Sequence, residues 1–177
     1  MKNEELKIKN YARGPRPVAV DKKNSIAVRP MGYEQLEAAA MLERVCFSRP
    51  WSLGQLAGAM EDPLIVLLAA VGEDESLCGY VGMYRIDGEG FIANLGVDPG
   101  CRRQGVASAL LQALEATALR EKLFRLTLEV RRSNAAAITL YEKNGYVSDG
   151  VRPGFYEDPV EDAVIFSRYF EGSIDGQ

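Results

Sequence analysis

The chain predicts an α/β fold in which helices cover both faces of a mixed, mostly antiparallel sheet. Short apolar runs separated by turn residues, at 64–71, 77–86 and 91–97, read as antiparallel hairpins. A strand, a tight glycine loop and a long amphipathic helix follow over 94–118, and another strand and helix come after them. With 177 residues, 47% hydrophobic and 26% charged, the chain suits one domain with a proper core.

In chain order, residues 26–29 read as a short strand and 33–47 as a helix with Leu36, Ala39, Ala40, Glu43 and Phe47 on its mostly apolar face. Arg49-Pro50 ends that helix, and Ser52 caps a short second one that stops before Asp62-Pro63. The strands at 64–71 and 77–86 are joined by the acidic turn Glu73-Asp74-Glu75-Ser76, and Asp87-Gly88-Glu89-Gly90 turns into the strand at 91–97. Asp98-Pro99-Gly100 is a strong turn signal. From Arg102 to Ala107 the chain opens a helix whose apolar positions are Val106, Leu110, Leu111, Leu114 and Ala118. The strand at 124–130 alternates, with Phe124, Leu126, Leu128 and Val130 on one face and Arg125, Thr127 and Glu129 on the other. A helix capped near Ser133 or Asn134 stops at Gly145. Two last strands, near 146–150 and 163–170, flank a loop at 151–162.

Residues 1–24 read as a flexible basic arm, 25–172 as the folded domain and 173–177 as a short tail. Residues 1–23 hold seven Lys/Arg against three Asp/Glu; with −4 for the whole chain, residues 24–177 carry −8. An acidic body argues against nucleic acid as a ligand and suits a cationic substrate. The longest apolar runs are too short to span a bilayer, and the first residues lead to no apolar signal segment, so a cytoplasmic protein is expected. Cys46, Cys78 and Cys101 are odd in number and share no metal-ligand spacing, the pattern of reduced thiols. The chain has no histidine. That excludes Ser-His-Asp and Cys-His nucleophiles and any His-built zinc site, and no metal is expected.

The first N–H groups of the helix that begins near Val106 lack internal acceptors and sit at the positive end of its dipole. Gly105 and Ala107 leave room for an anion against the N–H groups from Arg103 to Ser108, and Arg102 and Arg103 add charge. An ordinary capped helix with a solvated arginine pair fits the same residues. Glu129 ends its strand on the more polar face, where ligands of open α/β sheets commonly sit; a strand-end carboxylate paired with Arg131 or Arg132 is the other reading. Tyr141 reads as a half-buried core residue, Asn134 as a helix cap and Trp51 as packing. The cluster Glu157, Asp158, Glu161 and Asp162 reads as a solvated loop or as a means of steering a cationic substrate.

The order Arg-x-x-Gly-x-Ala at 102–107, after a strand ending in Val97-Asp98-Pro99, resembles the acyl-CoA loop of the GNAT superfamily of N-acetyltransferases. It lacks the Lys-Ser/Thr of a nucleotide P-loop and the three spaced glycines of a dinucleotide fingerprint. Leu128-Glu129-Val130-Arg131-Arg132-Ser133-Asn134, continuing to Tyr141 and Tyr146, resembles the signature of RimI-type protein N-terminal alanine acetyltransferases. The similarity runs over residues 26–170 and includes Arg49-Pro50-Trp51-Ser52, Gly150-Val151-Arg152 through Tyr156, and Asp162-Ala163.

The resemblance implies the GNAT fold, with the cofactor wedged between two splayed central strands. It implies acetyl-CoA as co-substrate, direct transfer, and as acceptor an alanine-starting protein N-terminus of a small-subunit ribosomal protein. Residue by residue, it places Arg102, Arg103, Gln104, Gly105, Val106, Ala107 and Ser108 at the CoA pyrophosphate, and Leu95, Gly96 and Val97 along the pantetheine arm. Asn134 hydrogen-bonds that arm, Tyr141 is the general acid toward the CoA thiolate, and Glu129 is the general base. Trp51, Arg152 and Tyr156 face the acceptor. Two residues depart from the pattern: Ala107 stands where many relatives have glycine, and Phe155 where tyrosine is common. A small amine or a protein lysine as acceptor, or a non-catalytic member that binds CoA or a partner, are the alternatives.

Overall fold

Residues 18–20 and 26–170 are described by the structure, a computed structural model. Its elements are β1 (Val18–Val20), β2 (Ile26–Pro30), α1 (Leu36–Cys46), α2 (Leu53–Glu61), β3 (Ile65–Val71), β4 (Leu77–Ile86), β5 (Glu89–Val97), α3 (Val106–Arg120), β6 (Arg125–Arg131), α4 (Ala135–Lys143), β7 (Val147–Glu157) and β8 (Val160–Tyr169). Among the described residues the strands form one sheet in the order β1-β2-β3-β4-β5-β6-β8-β7. All neighbours are antiparallel except β5 and β6. Of the arm read at 1–24, Val18–Val20 is a strand paired with β2. The rest of that segment and the tail at 173–177 lie outside the described residues.

Strand β3 shows why helices lie on both faces. Its unbroken run Ile-Val-Leu-Leu-Ala-Ala-Val leaves neither face polar, as buried strands require. Leu68 and Ala70 join a core beneath α3 with Val81, Met83, Leu126, Leu128 and Leu114. Leu67, Ala69 and Val71 join a second core beneath α1 and α2 with Leu36, Ala39, Leu42, Leu56 and Tyr80. Ser52 caps α2 in a capping box, its hydroxyl accepting from the Gln55 N–H at 3.3 Å.

The parallel contact at the centre is short. β5 and β6 pair only at Glu89–Arg125, Gly90–Leu126 and Phe91–Thr127, then diverge. Gly90 permits that contact, because a Cβ there would run into Leu126 and Met83. Just beyond it, Met83 pairs with Ile92 but Gly82 with Asn94, so Ala93 is an extra residue that bends β5 away.

The bend is tied to both helices of one face by Glu43. This side chain is fully buried. Its carboxyl accepts from Asn94 Nδ2 at 2.6 Å, from the Trp51 N–H at 2.6 Å and from the Tyr80 hydroxyl. Burial is the main cause, and the Glu43 contact the second, of a Tyr80 phenol pushed far above its ordinary pKa, so it stays a donor.

Two boundaries differ from the sequence reading. Residues Tyr33–Gln35 form a 3-10 turn before α1, with the Gln35 side chain folded back on the Gly32 N–H at 2.7 Å. More consequentially, 151–162 is no loop: β7 and β8 extend as a hairpin turning at Asp158-Pro159. Pro153 and Gly154 punctuate the chain like a loop. They are accommodated because β7 is an exposed edge strand whose register slips between Ser148 and Gly150 and between Arg152 and Tyr156.

Replacing Glu43 by Ala strands three buried donors at once. We expect Glu43→Ala to lower unfolding free energy by roughly 2–4 kcal/mol in urea titrations. A loss within 0.5 kcal/mol would mean the donors find other partners.

Candidate active site

Past Phe91, among the described residues, β5 has β4 on one edge and no strand on the other. The Asp98 N–H bonds the Cys78 carbonyl at 2.9 Å, so by antiparallel alternation Gly96 directs its polar backbone groups to β4. Leu95 and Val97 direct theirs into the gap. Arg102 Nε occupies the Val97 carbonyl at 3.2 Å. That bond anchors the following loop, while Arg102 itself remains exposed.

The loop has the geometry of an anion cradle. Arg103 (φ +63°) and Gly105 (φ +81°) are left-handed, and Gly105 is the N-cap of α3. The Ala109 N–H makes a helical bond to Gly105 O at 3.0 Å, so the N–H groups of Val106, Ala107 and Ser108 precede the first complete helical bond. The Val106 side chain is buried in the core, which leaves only its backbone for a ligand. Gln104 Nε2 donates to Gly100 O at 3.0 Å, and Ser108 Oγ accepts from Asn144 of the segment after α4 at 3.1 Å. Asn134 caps α4 by accepting from the Ala137 N–H at 3.2 Å, while its side chain lies exposed.

Across the gap, Glu129 lies near the end of β6 with its side chain only 12% exposed. Its partner is neither Arg131 nor Arg132. Arg131 pairs with Glu161 at 3.1 Å and Arg132 with Asp162 at 3.4 Å, while Arg152 Nη1 reaches Glu129 Oε1 at 3.1 Å. Burial raises the Glu129 carboxyl above its ordinary pKa, and the Arg152 charge pulls it partly back. The Tyr156 hydroxyl donates to the Glu129 carbonyl at 3.3 Å, and its phenol is pushed up chiefly by burial and then by the Glu129 charge.

Tyr141 is 8% exposed and packs against Tyr146 and Phe166, with ring centroids 5.8 and 6.1 Å away. Its hydroxyl bonds no described residue. Burial first, then the nearby Tyr156, keeps its phenol protonated well above neutrality. Glu129, Arg152 and Tyr156 thus meet past the last β5–β6 pair, while Tyr141 lies in the core with Leu128 and Val130.

Trp51 sits apart, held through its N–H by Glu43, with its ring edge-on to Tyr84 at 6.1 Å. It lines a shallow hollow of about 220 Å³ with Gln55, Asp62 and Tyr84. An exposed ion pair, Arg49–Glu157, joins the α1–α2 connection to the β7–β8 hairpin. Of the acidic cluster read as a solvated loop or as a means of steering a cationic substrate, Glu157, Glu161 and Asp162 each pair with an arginine, Glu157 while remaining exposed.

Sequence reasoning missed the Glu43–Tyr80–Asn94 network. The available signal was a lone carboxyl on the apolar stripe of α1, which burial makes costly unless donors meet it.

Residues 33–146 match the acetyltransferase (GNAT) family. The [ribosomal protein bS18]-alanine N-acetyltransferase of Escherichia coli K12 is 31% identical over 134 residues, 75% of this chain and 89% of that protein. The crystal structure of the ribosomal-protein-S18-alanine N-acetyltransferase from Escherichia coli superposes with a TM-score of 0.76 at 27% identity, covering 86% of this chain and 98% of that one. Arabidopsis thaliana NAA60 in complex with acetyl-CoA shares the fold with a TM-score of 0.75 at 23% identity, over 84% of this chain and all of that one.

Because Arg152 lowers what burial raises, Arg152→Met should move the Glu129 carboxyl further up. Carbon-13 NMR titration of labelled glutamates reads this directly; an unmoved Glu129 would mean the ion pair does not persist in solution.

Proposed function

The chain belongs to the acetyltransferase (GNAT) family, and on that premise we propose that it acetylates the α-amino group of an alanine-starting protein N-terminus, that of a ribosomal protein. The observation that carries this reading is the largely buried Glu129 carboxyl past the last β5–β6 pair, with Arg152 on it at 3.1 Å and Tyr156 on its backbone. Relatives about 30% identical are named for alanine acetylation of ribosomal protein bS18. An acetyl-CoA-dependent N-acetyltransferase is what the family and these relatives share.

In this reading, the N–H groups from Arg103 to Ser108 hold the pyrophosphate of acetyl-CoA, with Arg102 and Gln104 bracing the loop. Along Leu95, Gly96 and Val97, the Leu95 backbone groups and the Val97 N–H form the free edge that pairs with the pantetheine arm as an added strand would, and the Asn134 amide supplies a further bond. The Val97 N–H faces the thioester oxygen, where negative charge develops. Glu129 takes the proton of the attacking amine, directly or through water, as the C–N bond forms. When the C–S bond breaks, the Tyr141 hydroxyl protonates the departing thiolate, a modest aid since a thiol of pKa about 8.5 already leaves well. Arg152 and Tyr156 border the acceptor, whereas Trp51 packs apart from them on Tyr84.

An α-amine suits this machinery. Its pKa near 8 leaves roughly 10% neutral at pH 7, against roughly 0.04% for lysine. The raised Glu129 carboxyl adds an acidic limb above the ordinary carboxylate range, activity being lost as pH falls through it.

Two substitutions separate binding from chemistry. Glu129→Gln should retain acetyl-CoA affinity while turnover falls by roughly 10² to 10⁴. Gly105→Val crowds the cradle and should weaken acetyl-CoA by more than tenfold in calorimetry. Normal turnover in the first would return Glu129 to a structural role; normal affinity in the second would remove the phosphates from the loop.

A further inference from the structure

Arg152 occupies the position that an acceptor amine must take. Its guanidinium rests on the Glu129 carboxyl at 3.1 Å and is itself 52% exposed, while Glu129 is 12% exposed. We propose that Arg152 selects α-amines by exchanging partners: as the acceptor amine takes Glu129, the guanidinium moves to the carbonyl oxygen adjacent to that amine. This rests on the reading above that Glu129 faces the acceptor.

The surroundings favour such an exchange. A guanidinium has donors and no acceptor, so once displaced it needs an oxygen. The nearby carboxyls of Glu157, Glu161 and Asp162 are taken by Arg49, Arg131 and Arg132. Phe155 supports the guanidinium by its ring face at 5.1 Å and offers no oxygen. Arg152 is the last β7 residue in register, opposite Ala163, before the ladder slips toward Tyr156 and the chain passes left-handed Gly154 (φ +61°). A carbonyl oxygen of the acceptor can supply one.

Amines differ sharply here. In a peptide N-terminus, a carbonyl oxygen lies three bonds from the nitrogen, about 3 Å across, the scale of the contact that Arg152 gives up. A polyamine or a lysine ε-amine presents only methylenes at that distance. Arg152 therefore acts as a specificity-determining residue for an α-aminoacyl group, independent of which side chain the group bears.

The test compares kcat/KM for alaninamide and for propylamine in wild type and in Arg152→Met, which keeps the aliphatic bulk. Differences in neutral amine cancel between the two proteins. The alaninamide-to-propylamine ratio should fall roughly ten- to hundredfold in the variant, the scale of one charge-assisted hydrogen bond. Arg152→Lys should recover part of it. A ratio within twofold of wild type overturns the proposal. A second reading needs no turnover: nitrogen-15 NMR of the Arg152 guanidinium should show slower proton exchange with alaninamide than with propylamine, and equal exchange also overturns it. If wild type failed to acetylate a peptide with a free alanine N-terminus, the proposed function would fail while the exchange measurement still decided the role of Arg152.

Discussion

Only three residue pairs join β5 to β6, and the site depends on their parting there. A longer ladder would saturate the backbone of Leu95 and Val97 and leave no edge for a ligand. The extra residue Ala93 bends β5, and Gly90 lets the strands meet closely before the bend. Glu43 then ties Asn94, just past the bulge, to the start of α2 through Trp51. One buried carboxyl thus positions both the bent end of β5 and the start of α2. Its desolvation is offset only because three donors converge on it.

Electrostatics sort the remaining charges. The β7–β8 hairpin brings several acids and arginines together, yet most are committed to one another. Arg131 also stacks on Tyr156 at 4.2 Å, which holds that phenol over the backbone of Glu129. Glu129 is the exception in kind: buried enough to be raised, close enough to Arg152 to be partly restored. A carboxyl so balanced lies nearer to neutrality than a surface glutamate, which suits proton transfer from an amine.

Much of this was legible from local chemistry. The cap at Ser52, the glycine opening α3, the cap at Asn134 and the alternation of β6 each depend on residues a few positions apart, so sequence patterns expose them. The family resemblance added roles for Glu129 and Tyr141 that spacing alone left open. The hairpin at β7–β8 was not legible, because Pro153, Gly154 and the acidic run imitate a loop and only tertiary pairing with β8 makes them a strand. Partner choice was hidden for a similar reason. Arg131 and Arg132 adjoin Glu129 in sequence, but the neighbouring β8 supplies their acids and β7 supplies the arginine that Glu129 meets. The network of Glu43, Tyr80 and Asn94 spans three elements, and only the oddity of a glutamate in an apolar stripe hinted at it.

The central claim is that the amine entering beside Glu129 belongs to a protein N-terminus. The direct measurement offers acetyl-CoA and two peptides, one with a free alanine N-terminus and an internal lysine, the other identical but blocked at its N-terminus. Mass spectrometry locates the acetyl group. The account expects rapid acetylation of the free peptide on its α-nitrogen and little on the blocked one. Equal or faster acetylation of the internal lysine, or of spermidine in a parallel reaction, would contradict it.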